Sequence, residues 1–131
     1  MPEEQLNTLS EKIIGAAYTV GNNLGCGFLE KVYENALAYE IRKLGFSVET
    51  QKPLSVRYEN VVVGEYFADL LVQDAVLIEL KTANGFSDNH KAQCINYLHA
   101  VRLPLCLLIN FGRPRVEVKR IYESQYLKNL L

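Results

Sequence analysis

YFADLLV (66–72) and AVLIELK (75–81) are apolar at odd and even positions alike. A strand with one wet face alternates, so runs apolar on both sides belong in the middle of a sheet covered above and below. Each run also breaks that pattern, with Asp69 in the first and Glu79 and Lys81 in the second. Burying such charges is costly unless they are paired or bind a metal.

The flanking segments predict the layers that cover these strands. Leu6, Leu9, Ile13, Ala17, Val20 and Leu24 recur at steps of three and four, predicting an amphipathic helix over about 4–24. Gly21, Gly25 and Gly27 interrupt the pattern, and VGNNLGCGF lacks the G-K-[ST] ending of a phosphate loop, so it reads as a helix-to-helix connection. A second helix is expected over about 28–44, with Gly45 as its C-terminal signal. Phe46, Val48, Leu54, Val56 and Tyr58 alternate with polar residues as outer strands do, and Val61 to Val63 continue past a Glu59-Asn60 turn. A third helix over about 87–102 opens on the cap candidates Ser87 and Asp88. LCLLIN (105–110), a GRPR turn, a more polar strand over 116–121 and a short helix in 122–131 complete the chain. The order α-α-β-β-β-β-α-β-β predicts a three-layer α/β fold with a mixed central sheet flanked by helices, and 131 residues suit one domain over 1–131.

Composition narrows the function classes. Hydrophobic residues are 49% and charged residues 22%, too apolar for intrinsic disorder. The net charge of -1 gives no bulk field for a polyanion, so nucleic-acid affinity must be local. Lys52 with Arg57, Lys91 with Arg102, and Arg113, Arg115, Lys119 and Arg120 are candidate patches that read equally as solvated faces. Cys26, Cys94 and Cys106 are expected to be buried free thiols in a reducing cytoplasm. No apolar stretch approaches the roughly 20 residues of a membrane span, and the first residues lack signal-peptide character. His90 and His99 share no metal-ligand spacing with the cysteines and receive no role.

Glu79 and Lys81 lie two apart and project from one face of their strand. Asp69 lies opposite Glu79 if Val72 faces Val76 across a three-residue turn, Gln73, Asp74 and Ala75, so an odd loop or a bulge is required; a two-residue turn would send Glu79 to the other face. With the odd turn, two carboxylates and an ammonium converge, a donor set suited to Mg²⁺ or Mn²⁺ and to phosphodiester hydrolysis. A buried ion network is the structural alternative. Glu30 and Tyr33 are three apart on the second helix, with Glu30 expected to point at the sheet, although Glu40 shares that stripe. Gln93 and Tyr97, four apart on the third helix, can reach the same site and orient a phosphate or a water.

The pattern D-x(9)-E-x-K followed by Q-x-x-x-Y resembles the PD-(D/E)XK nuclease superfamily. Gly27, Glu30 and Tyr33 match the signature of its small GxxExxY family, and the similarity runs from about residue 8 to 121. Ala68 stands where the superfamily name has proline, a departure that removes no catalytic group. The resemblance implies a restriction-endonuclease-like fold and a metal site at Asp69, Glu79 and Lys81. It adds the Leu80 main-chain carbonyl and Glu30 as further ligands. The implied activity is Mg²⁺- or Mn²⁺-dependent hydrolysis of nucleic acid, DNA ahead of RNA. A non-catalytic nucleic-acid-binding or protein-interaction module on the same fold is the rival, and hydrolysis of another phosphate ester is a third reading.

Overall fold

The structure is a computed structural model and describes residues 1–125. Helices α1 (Glu3–Leu24) and α2 (Glu30–Lys43) precede strands β1 (Val48–Tyr58), β2 (Val61–Val72) and β3 (Val76–Lys81). Helix α3 (Asp88–Val101) and strands β4 (Leu105–Asn110) and β5 (Glu117–Tyr122) follow. Three strands precede α3 where the alternation pattern predicts four. Residues 61–63 and 66–72 form one strand because Gly64 continues the ladder opposite Val56. Residues 126–131, most of the expected C-terminal helix, lie outside the described residues, and Tyr122 ends β5.

The five strands lie in sequence order, β1-β2-β3-β4-β5. All neighbours are antiparallel except β3 and β4, which are parallel because α3 carries the chain back between them. Helices α1 and α2 cover one face, where Leu6, Ile13, Leu37 and Ile41 pack on Leu70, Val72, Ile78 and Leu107. Helix α3 covers the other, where Cys94, Tyr97 and Leu98 pack on Leu71, Leu77, Cys106 and Leu108. This is the mixed three-layer α/β fold that the double-sided strands predict. Among the described residues no helix is long and apolar enough to cross a membrane.

Local chemistry fixes the helix ends. Gly45, at φ 91°, follows α2, and its N–H donates to the Arg42 carbonyl. Ser87 caps α3 in a reciprocal box with His90, which gives that histidine a structural role the spacing argument missed. Of the thiols expected to be buried, Cys94 and Cys106 are, whereas Cys26 is exposed in the α1–α2 connection, a glycine-broken loop with little to cover it.

One polar residue ties the end of the sheet together. Asn110 is fully buried at the C-terminal end of β4, opposite Lys81. Its Oδ1 accepts from the main-chain N–H groups of Ala83 and Gly112, and its Nδ2 donates to the Ala83 carbonyl and to Glu117. The loop leaving β3 is therefore held from β4. Gly112 is required by that closeness, since an added Cβ would lie 2.4 Å from Ala83 N and O. Gly112→Ala is expected to lower the unfolding free energy by about 1–3 kcal/mol. Gly85→Ala, with nothing within 4 Å, should change it far less, and urea melts of the two variants check the contrast.

Candidate functional site

The β2–β3 register settles the parity question. Val72 pairs with Val76, so the turn holds Gln73, Asp74 and Ala75. Gln73 and Asp74 are left-handed, at φ 54° and 51°, and the Ala75 N–H closes the turn on the Val72 carbonyl at 3.0 Å. Extending this register brings Asp69 opposite Glu79. The ladder itself ends at Leu70 and Ile78.

Beyond that point side chains replace the main-chain pairing. The Asp69 N–H donates to Glu79 Oε1 at 3.1 Å, and the Leu80 N–H donates to Asp69 Oδ2 at 2.7 Å. Alternation also breaks here: Ala68 and Leu71 both pack on the α3 side, although they are three residues apart. Across the other edge of β2, Gln51 of β1 stands where regular pairing would oppose it to Asp69, but has a left-handed backbone at φ 51°. Its amide donates to Asp69 Oδ1 at 3.2 Å and to Glu34 Oε1 at 2.5 Å. A non-glycine residue at such a φ costs of order 1 kcal/mol or more, and the neighbouring interactions must hold it there.

Groups from both layers meet at this break. From the α3 side, Lys81 Nζ donates to Gln93 Oε1 at 3.1 Å, and Gln93 Nε2 donates to the Tyr97 hydroxyl at 2.9 Å. Gln93 and Tyr97 stand four positions apart on one helix face, so the pair forms a stiff relay toward Lys81. From the α2 side come Glu30, the first helical residue, and Glu34 one turn on, buried and paired with Lys31. Glu30 is exposed as a residue rather than set in the apolar stripe, because it lies at the helix end where the sheet no longer covers it. Its carboxyl still senses Asp69, Lys81 and Glu34.

Tyr33 and Gly27 act on the position of Glu30. Tyr33 is fully buried, stacked on Phe111 at 4.7 Å between ring centres. Its hydroxyl donates to the Gly25 carbonyl at 2.6 Å and accepts from the Phe28 N–H at 3.2 Å. Gly27 turns the loop at φ 114°. The tyrosine thus pins the loop that delivers the chain to the start of α2.

The electrostatics are those of crowded carboxylates. Burial first, and the charge of Asp69 second, push the Glu79 carboxyl up to about 8. Asp69 is raised by burial, against the opposing Leu80 hydrogen bond. Glu30 is raised because its carboxyl end is partly withdrawn from water, and then by Asp69. Tyr97 is raised by burial and then by Glu79. Behind Glu79, burial pushes the Cys106 thiol up, and a hydrogen bond with Cys106 lowers Cys94. Glu79 is 3% exposed, and among the described residues its Oε2 accepts no hydrogen bond. A buried carboxylate oxygen without a donor, facing a second carboxylate, is a donor set that fits a hard divalent cation. The described residues form no ready cluster of three or more His, Cys, Asp or Glu around one point.

Asp69, Glu79, Lys81, Gln93 and Tyr97 are thus brought together, with Glu30 at the margin and Gly27 and Tyr33 supporting the loop before it. Sequence reasoning missed Glu34, Gln51 and Asn110. Glu34 lies four residues after Glu30, and Asn110 ends an otherwise apolar run; both signals were present. The Gln51 kink has none.

Residues 7–121 match the family model of the PD-(D/E)XK nuclease superfamily. No curated protein matches the chain. A crystal structure of an alkaline exonuclease (LHK-Exo) from Laribacter hongkongensis is similar over 98% of this chain and 74% of that one, at 15% identity and a TM-score of 0.55. A crystal structure of SSO0001 is similar over 72% of this chain, at 19% identity and a TM-score of 0.47, and the match spans 57% of that protein's length.

The Glu79 shift has a direct consequence for stability. Its folded value of about 8 lies above the ordinary 4.5, so the folded state holds the proton more tightly. That contribution is fully present below the ordinary value and is lost as pH rises through about 8. Without metal, the melting temperature is expected to fall by several degrees between about pH 5 and about pH 9. In Glu79→Gln the fall should be smaller, as thermal melts across that range would record.

Proposed function

The chain belongs to the PD-(D/E)XK nuclease superfamily, and on that premise we propose that it is a divalent-metal-dependent nuclease acting on nucleic-acid phosphodiesters, DNA ahead of RNA. The reading is carried by the pair of half-buried Asp69 and buried Glu79, whose carboxylates bond each other's strand while, among the described residues, Glu79 Oε2 lacks a donor. Asp69 and Glu79, with the Leu80 main-chain carbonyl and Glu30, would hold Mg²⁺ or Mn²⁺, which when bound polarises the phosphate and lowers the pKa of a water. Lys81 neutralises charge building on the phosphoryl oxygens or holds the attacking water. Gln93 orients the Lys81 ammonium and Tyr97 orients Gln93, so the relay aims a cation at the reacting phosphate.

The residues Gly27, Glu30 and Tyr33 support placement within the GxxExxY family, and Gly27 and Tyr33 shape the loop that leads to Glu30. One nuclease-like domain acting in the cytoplasm is the simplest setting, and two buried unpaired thiols accord with a reducing compartment. A non-catalytic binding module is the second reading. The observation in its favour is that the described residues hold no preformed cluster of three or more ligating side chains.

The test is cleavage of labelled single-stranded, duplex and branched DNA and of RNA with Mg²⁺, Mn²⁺ or EDTA. Cleavage is expected with either metal and not with EDTA, and Asp69→Ala and Lys81→Ala should each lower it by roughly 100-fold or more. No metal-dependent cleavage, or equal cleavage by the variants, would replace this reading with the binding module.

A further inference from the structure

A groove of about 1010 Å³ opens beside the Lys81–Gln93–Tyr97 relay, between α3 and the β1–β2 hairpin. Arg57 and Tyr66 line the hairpin wall, and Gln93, Tyr97 and Arg102 line the helix wall. Glu59 at the hairpin turn is the one carboxylate among its lining residues. Neither arginine is in an ion pair among the described residues, and Arg57 makes only a long 3.4 Å bond to the Asn60 carbonyl. In a chain of net charge -1, this is a local concentration of cationic and amide donors with little to neutralise it.

Tyr66 supplies the second feature. Its ring leans on Tyr97, with centres 5.5 Å apart and planes at 43°, yet the residue is 50% exposed. A supported aromatic ring held half in water beside guanidinium groups is the pairing that single-strand binders use, a π-face for a base and cations for its phosphates. The volume lies at the top of the roughly 300–1,000 Å³ range of small-ligand pockets, and an exposed ring face offers stacking to an unpaired base, which a duplex keeps within its own stack. The groove is also continuous with the candidate site, because Tyr97 and Gln93 belong to both.

We infer that this groove holds an unpaired nucleic-acid strand, with a base stacked on Tyr66 and phosphates on Arg57 and Arg102, and leads it to the Asp69–Glu79 site. The inference rests on the nuclease reading and names the form of its substrate.

The experiment is fluorescence polarisation in EDTA with short labelled oligothymidine, oligouridine and a DNA duplex of equal length, using the full chain. One or both single strands should bind at least roughly tenfold more tightly than the duplex. Tyr66→Ala should weaken single-strand binding roughly tenfold, while Tyr66→Phe retains it. Arg57→Ala and Arg102→Ala should each lower the slope of log affinity against log salt by about 0.7. Asp69→Ala should bind at least as tightly as the wild type. Duplex binding as tight as single-strand binding, or unchanged binding by Tyr66→Ala, would overturn the inference. Parallel cleavage assays separate the two readings: Tyr66-dependent binding without any metal-dependent cleavage overturns the nuclease alone. Metal-dependent cleavage with binding indifferent to Tyr66, Arg57 and Arg102 overturns the groove alone.

Discussion

The site depends on an exchange of hydrogen bonds between β2 and β3. Where the ladder stops, the Asp69 carboxylate takes the Leu80 N–H and the Glu79 carboxylate takes the Asp69 N–H. Main-chain donors that would be orphaned in a covered sheet are thereby satisfied, and both acids are held within the sheet, Glu79 buried and Asp69 half-buried. The exchange opens the sheet locally, so α2 can bring Glu30 and Glu34 from one layer while α3 brings Gln93 and Tyr97 from the other. Without the break, an unbroken sheet would keep those two sets apart.

The supporting structure serves the same point from three directions. Asn110 fixes the chain just after Lys81, Tyr33 fixes the loop just before Glu30, and Gln51 holds Asp69 from β1. Each uses a buried or strained polar group with specific partners rather than apolar packing. Such groups contribute orientation, which an apolar residue of equal volume would not supply. The price of this arrangement is visible in the raised carboxyls of Glu79, Asp69 and Glu30, which a structural ion network with balanced charges would lack.

Much of this was legible in the residues themselves. Periodicity located all three helices within a few residues, and double-sided apolarity identified β2, β3 and β4 as interior strands. Asp69, Glu79 and Lys81 stood out because charge inside an apolar strand is conspicuous. The turn length at residues 73–75 could be framed as a parity condition but not decided, since neither Gln73 nor Asp74 is glycine and left-handed backbone is not written in their side chains. Glu34 escaped although it lies four residues after Glu30, because that spacing places it beside Glu30 on the helix without showing that it faces a neighbouring strand. Gln51 escaped because its importance comes from a backbone kink imposed by tertiary contacts. Cys26 was misplaced because an apolar neighbourhood in sequence became an exposed loop in space.

The irregularities of β1 have a consequence for the molecule's behaviour in a crowded solution. As one of the two edge strands it presents an unpaired row of main-chain donors and acceptors, the usual template for strand-to-strand aggregation. Pro53 removes one donor, the left-handed Gln51 interrupts the row, and the register shift at Val56/Arg57 twists it again, with Lys52 adding charge. No stretch of this edge remains both regular and long enough to recruit another strand. The kink that aims Gln51 at Asp69 therefore also keeps this edge of the sheet from templating assembly.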